Sequence, residues 1–319
     1  MHPATIAALR CPHCAGALHL DGGSLVCGQG HRFDRARQGY VNLVAGGGTP
    51  HAGDDASMLD HRQRALADGL FDPVLDCLAD TANAALGLAA DAAPSDTADA
   101  SPTATANAAP AEVDLTAEPQ VQCQQLIVDV GAGPGVHLAR VIDDDPRRCG
   151  IAVDVSKYAA RRAARAHPRV TSIVADAWTG LPIADGSADL VLVAFAPRNA
   201  SELARILAPH GRLLVLVPAD DHLAGLRERL GLLAVEPGKP GQLSAQLAPR
   251  LELVDQHTVV WDRPLTRAQT VDLVGMGPSA RHHDLDAVAS ELAAMDTPPA
   301  MHGAVRLLVF AHSALRAGG

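Results

Sequence analysis

Aromatic residues are scarce in this chain, at 3% of 319 residues, so Ala, Leu and Val must fill most of any core. Hydrophobic residues at 48% are ample for one. Absent as well is any apolar run approaching the roughly 18 residues needed to span a bilayer, and no Lys/Arg-flanked apolar stretch opens the chain. These absences exclude a bundle of membrane-spanning helices and lead to the expectation of a soluble, cytoplasmic protein. Positive charge is in deficit: 26 Lys and Arg face 36 Asp and Glu, a net charge of -10. That argues against a nucleic-acid partner until the distribution is read. Residues 91–118 hold Asp91, Asp96, Asp99, Glu112, Asp114 and Glu118 with no Lys or Arg, whereas residues 1–45 set Arg10, Arg32, Arg35 and Arg37 against Asp21 and Asp34. Electrostatic recognition depends on a local face, so RNA stays open as a partner.

What is present falls into successive regimes. The first 45 residues hold a Cys/His cluster followed by "HRFDRARQGYVNLV". Residues 46–88 read as a helical connector, with apolar spacing of three and four broken near Gly69 and Pro73. Residues 89–120, rich in Ala, Asp, Pro, Ser and Thr, have almost nothing to bury and are expected to be a disordered insertion. From 121 to 319 short Val/Ile/Leu runs alternate with helical segments: 125–130, 150–154, 170–176, 189–195 and 212–218, with two late strands at 251–261 and 304–312. Seven strands and their helices predict an α/β, Rossmann-like domain with a largely parallel sheet. The helical stretch between the last two strands is longer than a hairpin needs and is placed to cap a site.

Cys11-x2-Cys14-x12-Cys27-x3-His31 has the spacing of a tetrahedral zinc site with three thiolates and one imidazole. Between the pairs, "ALHLDGGSLV" reads as a hairpin turning at Asp21-Gly22-Gly23, which makes a zinc ribbon. So small a module has no apolar core of its own, and the metal is expected to supply its stability. His13 and His19 read as bystanders, and Cys77, Cys123 and Cys149 as buried thiols in a reducing compartment. A structural zinc module ahead of a catalytic domain suggests a macromolecular substrate.

The first strand of the α/β region runs into Asp129-x-Gly131-x-Gly133-x-Gly135. Glycines at such a turn let the backbone approach a ligand closely. A dinucleotide fingerprint would need glycine at 136, where Val136 stands, and the pattern instead is that of S-adenosylmethionine enzymes. Asp154, ending the second strand, is placed to accept hydrogen bonds from two ribose hydroxyls, and Asp176, ending the third, to meet the adenine amino group. The fourth strand ends in "AFAPRN". It lacks the Asn/Asp-Pro-Pro-aromatic turn that holds exocyclic amino groups, and Arg198 follows Pro197 where a cytosine C5 enzyme commonly has its cysteine. Arg198 and Asn199 are left as donors able to orient a carbonyl-bearing ring.

"LRCPHC", "GHRFDRARQGYVNLV", "VDVGAGPG", "DVSKYAARRAARAHPRV", "FAPRN", "DDHLAGL" and "VGMGPSARHH" together closely resemble the zinc-containing guanine-N1 methyltransferases of bacterial 23S ribosomal RNA, and most of all the Gram-positive branch that includes tylosin-resistance enzymes. The resemblance covers nearly the whole chain except the insertion. It implies one structural zinc on Cys11, Cys14, Cys27 and His31, S-adenosylmethionine as cofactor, a homodimer, and a guanine in a 23S ribosomal RNA hairpin as acceptor. It also implies cofactor contacts at Phe71, where the family often has tyrosine, and at His137, Leu138 and His222. Guanine N1 attacks a methyl group only as its proton leaves, so a base or a donor to O6 is expected. Arg198 fits the donor; Asp176, Asp185 and the "RHHD" segment near His282 are the candidates for the base. Two other readings share parts of this pattern: a small-molecule methyltransferase, and a non-catalytic zinc-dependent RNA-binding protein.

Overall fold

The computed structural model describes residues 1–46, 48–51, 53–92, 123–233, 238–248, 250–296 and 299–313. Most of the insertion expected to be disordered lies outside the described residues. Helix α1 (Pro3–Ala8) opens behind His2, whose Nδ1 accepts the Ala4 N–H. Strands β1 (Leu18–Asp21) and β2 (Ser24–Cys27) then form the expected hairpin, with Gly22 and Gly23 as its two-residue turn and Gly22 at a φ of +58°. Strand β3 (Arg32–Asp34) joins the other edge of β2.

This module does not stand alone. Leu9, Leu18 and Leu25 are buried in the same apolar cluster as Val128, Ile151 and Val191 of the large sheet. Backbone bonds from Arg10 N–H to Pro182 O and from Ala184 N–H to Ala8 O, both 2.8 Å, fasten the joint. Burying each leucine contributes about 1.5–3 kcal/mol, so the ribbon draws stability from the large domain as well as from metal. Strand β4 (Val41–Asn42) then leaves the module to pair with that domain.

Two helices follow. α2 (Ala56–Ala67) is capped by Asp55, which accepts the Met58 N–H at 2.9 Å, and the chain breaks at Gly69 before α3 (Asp72–Ala92). The sheet is built from β5 (Gln125–Val130), β6 (Arg148–Asp154), β7 (Val170–Val174), β8 (Ala188–Ala194), β9 (Leu207–Pro218), β10 (Leu251–Pro264) and β11 (Ala300–His312). Helices α4 (Val136–Asp143), α5 (Lys157–Ala163) and α6 (Ala200–Ile206) alternate with its parallel strands, and α7 (Ala224–Leu230) and α8 (Lys239–Leu247) follow β9. The strand order is β10-β11-β9-β8-β5-β6-β7-β4, with β4 through β9 parallel and the last two strands antiparallel. All seven expected strands are present. The eighth, β4, is two residues long and carries no strand pattern of its own.

The strand order reverses between β5 and β8, which opens a crevice at the carboxyl ends of these strands. Over that edge lies the late insertion of α9 (Arg267–Gly275), a 3-10 turn (Pro278–Arg281) and α10 (Leu285–Ala293). Asp272 of α9 ties it to α2 through His61 at 2.7 Å and Arg64 at 2.7 Å. Cys123 and Cys149 correct the expectation of free thiols: they form a disulfide with a Cα separation of 5.6 Å. Cys123 lies just ahead of β5 and Cys149 is the second residue of the adjoining β6, so parallel pairing brings them together.

Candidate functional site

The four metal-ligand candidates converge. Cys11, Cys14 and Cys27 Sγ and His31 Nδ1 all lie within 4.8 Å of one another. Cys14 Sγ stands 3.7 Å from Cys27 Sγ, and His31 Nδ1 stands 3.3 and 3.5 Å from Cys27 and Cys11 Sγ. Zinc bonds of about 2.3 Å to sulfur and 2.0 Å to nitrogen imply tetrahedral edges of about 3.5–3.8 Å, so the donor set fits the ion. Two tight turns make the geometry: Cys11 O accepts the Ala15 N–H, and Cys27 O accepts the Gly30 N–H at a φ of +82°. His13 stays outside the ligand set, as expected, and packs beside it: its ring stacks on Phe33 at 5.7 Å and tilts against His31 at 5.1 Å. His19 faces solvent on β1.

At the end of β5, Gly131, Gly133 and Gly135 all take left-handed φ values of +77°, +54° and +82°. A Cβ at Gly131 would overlap Ala196, and one at Gly135 would come within 3.0 Å of α5. Beneath them Asp129 is completely buried, and neither carboxyl oxygen has a hydrogen-bond partner. Burial, assisted by the charge of Asp154, pushes its carboxyl up to about 8. An orphaned acid under a glycine cradle suits a cationic ligand. Asp154 braces the cradle: it accepts the Gly133 N–H at 2.9 Å and the Ser156 N–H at 2.8 Å, while burial raises its carboxyl. Each oxygen retains a second lone pair for a ribose hydroxyl.

Asp176 does something the sequence did not indicate. One oxygen accepts the Trp178 N–H at 2.9 Å; the other binds the Thr49 hydroxyl and lies 2.8 Å from His51 Nδ1. Burial alone would raise this carboxyl, but those hydrogen bonds outweigh it and hold it low. As it stands, Asp176 anchors the segment joining the zinc ribbon to α2 instead of facing open space. The same segment passes Asp54 O to the Ser156 hydroxyl at 2.6 Å and pairs Asp54 with Arg62 at 2.5 Å. Arg62 also donates to Met276 O, and its Nη1 would lie 3.3 Å from a Cβ at Gly133. It clamps the segment, the cap and the glycine loop together, although in sequence it is one more polar residue of an amphipathic helix.

Phe71 and His222 meet around Trp261, at ring distances of 6.0 and 6.3 Å. Trp261 donates its indole N–H to Leu70 O, while His222 Nδ1 accepts the Ala304 N–H. Burial pushes His222 down to about 4, leaving a neutral ring. His137, in the first turn of α4, is pushed to about 4 by burial and by Arg62. The side chain of Leu138 is fully buried against the Gly150 backbone of β6 and packs α4 onto the sheet, so a contact of this residue with a ligand would run through its backbone.

On the acceptor side, Phe195 follows β8 with a φ of +54°, rare for a non-glycine residue, and holds its ring 44% exposed. Arg198 is half-buried and makes no hydrogen bond or ion pair among the described residues; burial lowers its pKa. Asn199 is tied into the turn. Its amide donates to Ala177 O at 3.0 Å while its oxygen caps α6 through the Glu202 N–H and accepts the Ser201 hydroxyl, so both ends are occupied in holding the turn. Asp185 is a correction: it precedes β8, at the opposite end of that strand, and pairs with Arg205. The "RHHD" segment is held by Arg281 to Gly53 O at 3.0 Å, which places it beside the end of β6. Phe195 is the residue sequence reasoning passed over; its aromatic type in a strand-end turn was the available signal.

Residues 9–45 match the zinc-ribbon family described as RlmA, N-terminal, and residues 127–214 match a methyltransferase domain. The chain is 43% identical over 311 residues, 96% of its own length and 98% of the relative's, to a Micromonospora griseorubida protein described provisionally as a 23S rRNA (guanine-N(1)-)-methyltransferase. It is 40% identical over 294 residues, 92% of each chain, to the 23S rRNA (guanine(748)-N(1))-methyltransferase of Streptomyces fradiae. A Bacillus subtilis protein, YxjB, with a similar provisional description is 29% identical over 228 residues, 69% of this chain and 68% of that one.

Proposed function

Because this chain belongs to the zinc-ribbon 23S ribosomal RNA (guanine-N1)-methyltransferase family, we infer that it methylates N1 of a guanine in 23S ribosomal RNA. The cofactor is S-adenosylmethionine, and the ribbon carries one structural zinc ion. We further propose that the guanine lies in a hairpin loop, that the enzyme works as a cytoplasmic homodimer, and that its product confers macrolide resistance of the tylosin type. Among the described residues no helix is long and apolar enough to cross a membrane.

Gly131, Gly133 and Gly135 would hold the cofactor's aminoacyl end over Asp129, and Asp154 its ribose, with Trp178 and the strap at 49–51 beside the adenine. When bound, the cofactor supplies an electrophilic methyl group on sulfur. As the N1 proton passes to a base or to water, negative charge would grow on N1 and O6; N1 would then bond to the methyl group as the carbon–sulfur bond breaks and its electron pair stays on the departing thioether. Arg198 donates to that oxygen; Phe195 offers its face to the base. The observation that carries this reading is the unpaired, half-buried Arg198 in the turn that touches the first glycine of the cradle through Ala196. Asp176 and Asp185 are engaged elsewhere, which leaves the "RHHD" segment near His282 as the candidate base beside positioning and charge stabilisation at O6.

The test is mass mapping of methylated nucleotides in 23S ribosomal RNA from cells with and without the gene. A single added N1-methylguanosine in a hairpin loop is the expected result. Unchanged RNA together with methylation of a small acceptor would reject it.

A further inference from the structure

Arg32, Arg62, Arg64, Arg140, Arg147, Arg162 and Arg205 each meet a carboxylate. One exposed face gathers cations that do not. On α5, Lys157, Arg161 and Arg165 recur every four residues, which aligns them on one side of a helix and the turn that continues it. All three are exposed, and none has an ion pair among the described residues. Arg162, one position round the helix, points the other way and binds Asp60 and Gln63 of α2. Tyr158, the next residue along the helix, stands 41% exposed beside the stripe, with the Lys157 ammonium 5.4 Å from its ring centre.

The stripe does not end at the large domain. Gly39, at a φ of +101°, rests on Ala164 so closely that a Cβ there would lie 3.3 Å from the Ala164 methyl. The tight turn that delivers Gly39 is closed by its N–H to Ala36 O at 2.8 Å and carries Arg37; Arg35 lies just before it. Arg35 and Arg37 are exposed and unpaired as well. Five cations from the zinc ribbon and from α5 therefore border one joint, in a chain whose net charge is -10. Carboxylates are plentiful, yet none among the described residues neutralises these side chains, and like charges gathered without partners repel.

Resting on the function proposed above, we propose that Lys157, Tyr158, Arg161 and Arg165 of α5, continuous with Arg35 and Arg37 across the Gly39–Ala164 contact, form one surface that grips the phosphate backbone of the substrate RNA outside the target guanine. Phosphates supply the missing anions, and Tyr158 offers a ring on which an unpaired base stacks, a feature that favours single-stranded RNA over an acidic protein. Because the surface crosses the joint, one RNA segment bound there engages the ribbon and the cofactor domain together.

The experiment compares the full-length protein with a Lys157→Gln/Arg161→Gln/Arg165→Gln variant and an Arg35→Gln/Arg37→Gln variant, using a 23S ribosomal RNA transcript as probe. Glutamine keeps the helix, and unchanged adenosylmethionine affinity and zinc content verify folding. Losing three phosphate contacts should flatten the log–log salt dependence of binding by roughly 2, so the wild-type advantage should shrink about twentyfold between roughly 50 and 200 mM salt. Tyr158→Ala should weaken binding without changing that slope, and Tyr158→Phe should restore it. Wild-type affinity and slope in the α5 variant would overturn the proposal. So would normal binding to the naked transcript with loss confined to ribosomal particles, which would assign the face to a protein. If the wild-type enzyme itself left 23S ribosomal RNA unmethylated, the functional reading would fail instead.

Discussion

Ala196 sits directly against Gly131: the turn that follows β8 touches the first glycine of the loop that follows β5, with no room for a methyl group between them. Cofactor cradle and acceptor turn are thus one packed unit, set on neighbouring strands paired through Ile127↔Leu190.

Gly131→Ala should disturb both substrates at once. The new methyl meets Ala196, and the φ of +77° costs an alanine roughly 1–2 kcal/mol besides. Adenosylmethionine affinity, read by calorimetry, should fall at least about tenfold. Adding Ala196→Gly removes the collision but not the backbone strain, so the double variant should recover part of the loss and no more. Full recovery would mean that the backbone conformation is not needed.

Asp129 sets a pH dependence whose sign follows from its elevated pKa. The folded chain keeps this proton up to about pH 8 while the unfolded chain releases it near 3.8. Between those values the unfolded state holds fewer protons, so this residue's contribution turns against the fold as pH rises. Melting temperature should drop by about 2 °C or more from pH ~5 to pH ~8 relative to Asp129→Asn. A cationic ligand favours the ionised carboxylate, so adenosylmethionine should bind more tightly as pH rises, with proton release visible as a buffer-dependent enthalpy. Parallel pH profiles for the two proteins would show that Asp129 does not titrate.

Cys14→Ser should lose the metal, which in the wild type should amount to about one zinc per chain by elemental analysis. Since Leu9, Leu18 and Leu25 share a core with the large sheet, the loss should also lower the melting temperature of the whole protein, not just that of a detached module. RNA methylation should fall far more than cofactor affinity. A variant that retained zinc would displace Cys14 from the ligand set.

Much of this was legible because it is local or repetitive. The zinc ligands announce themselves by spacing, the strands by runs of Val, Ile and Leu, and the cradle by three glycines in five positions. Residues whose roles depend on distant partners were not. Asn199 looked like a donor to substrate until Ala177 O and the start of α6 claimed its amide. That Asp176 also holds the strap of residues 49–51, 125 positions away in the chain, left no trace in its local sequence. Asp185 was read as a possible base because sequence does not state which end of a strand faces the crevice. The Cys123–Cys149 bridge depends on parallel pairing across an insertion.

Arg198 provides the sharpest division between binding and catalysis. It is half-buried, free of hydrogen-bond and ion-pair partners among the described residues and lowered in pKa by burial, yet remains charged as a guanidinium. A charge left unpaired in that position is costly in the free enzyme and becomes favourable as negative charge develops on O6, so its effect belongs mainly to the transition state. Arg198→Ala should therefore reduce the single-turnover methylation rate about 100-fold or more, in line with loss of a charge-stabilising donor, while RNA affinity changes little. Arg198→Lys keeps the charge but loses the planar fork and should recover only part of the rate. Phe195→Ala, by contrast, removes a surface that meets the base before reaction, and should weaken RNA binding along with the rate. If Arg198→Ala turned over normally on saturating RNA, the turn after β8 would be a docking element and O6 would need another donor.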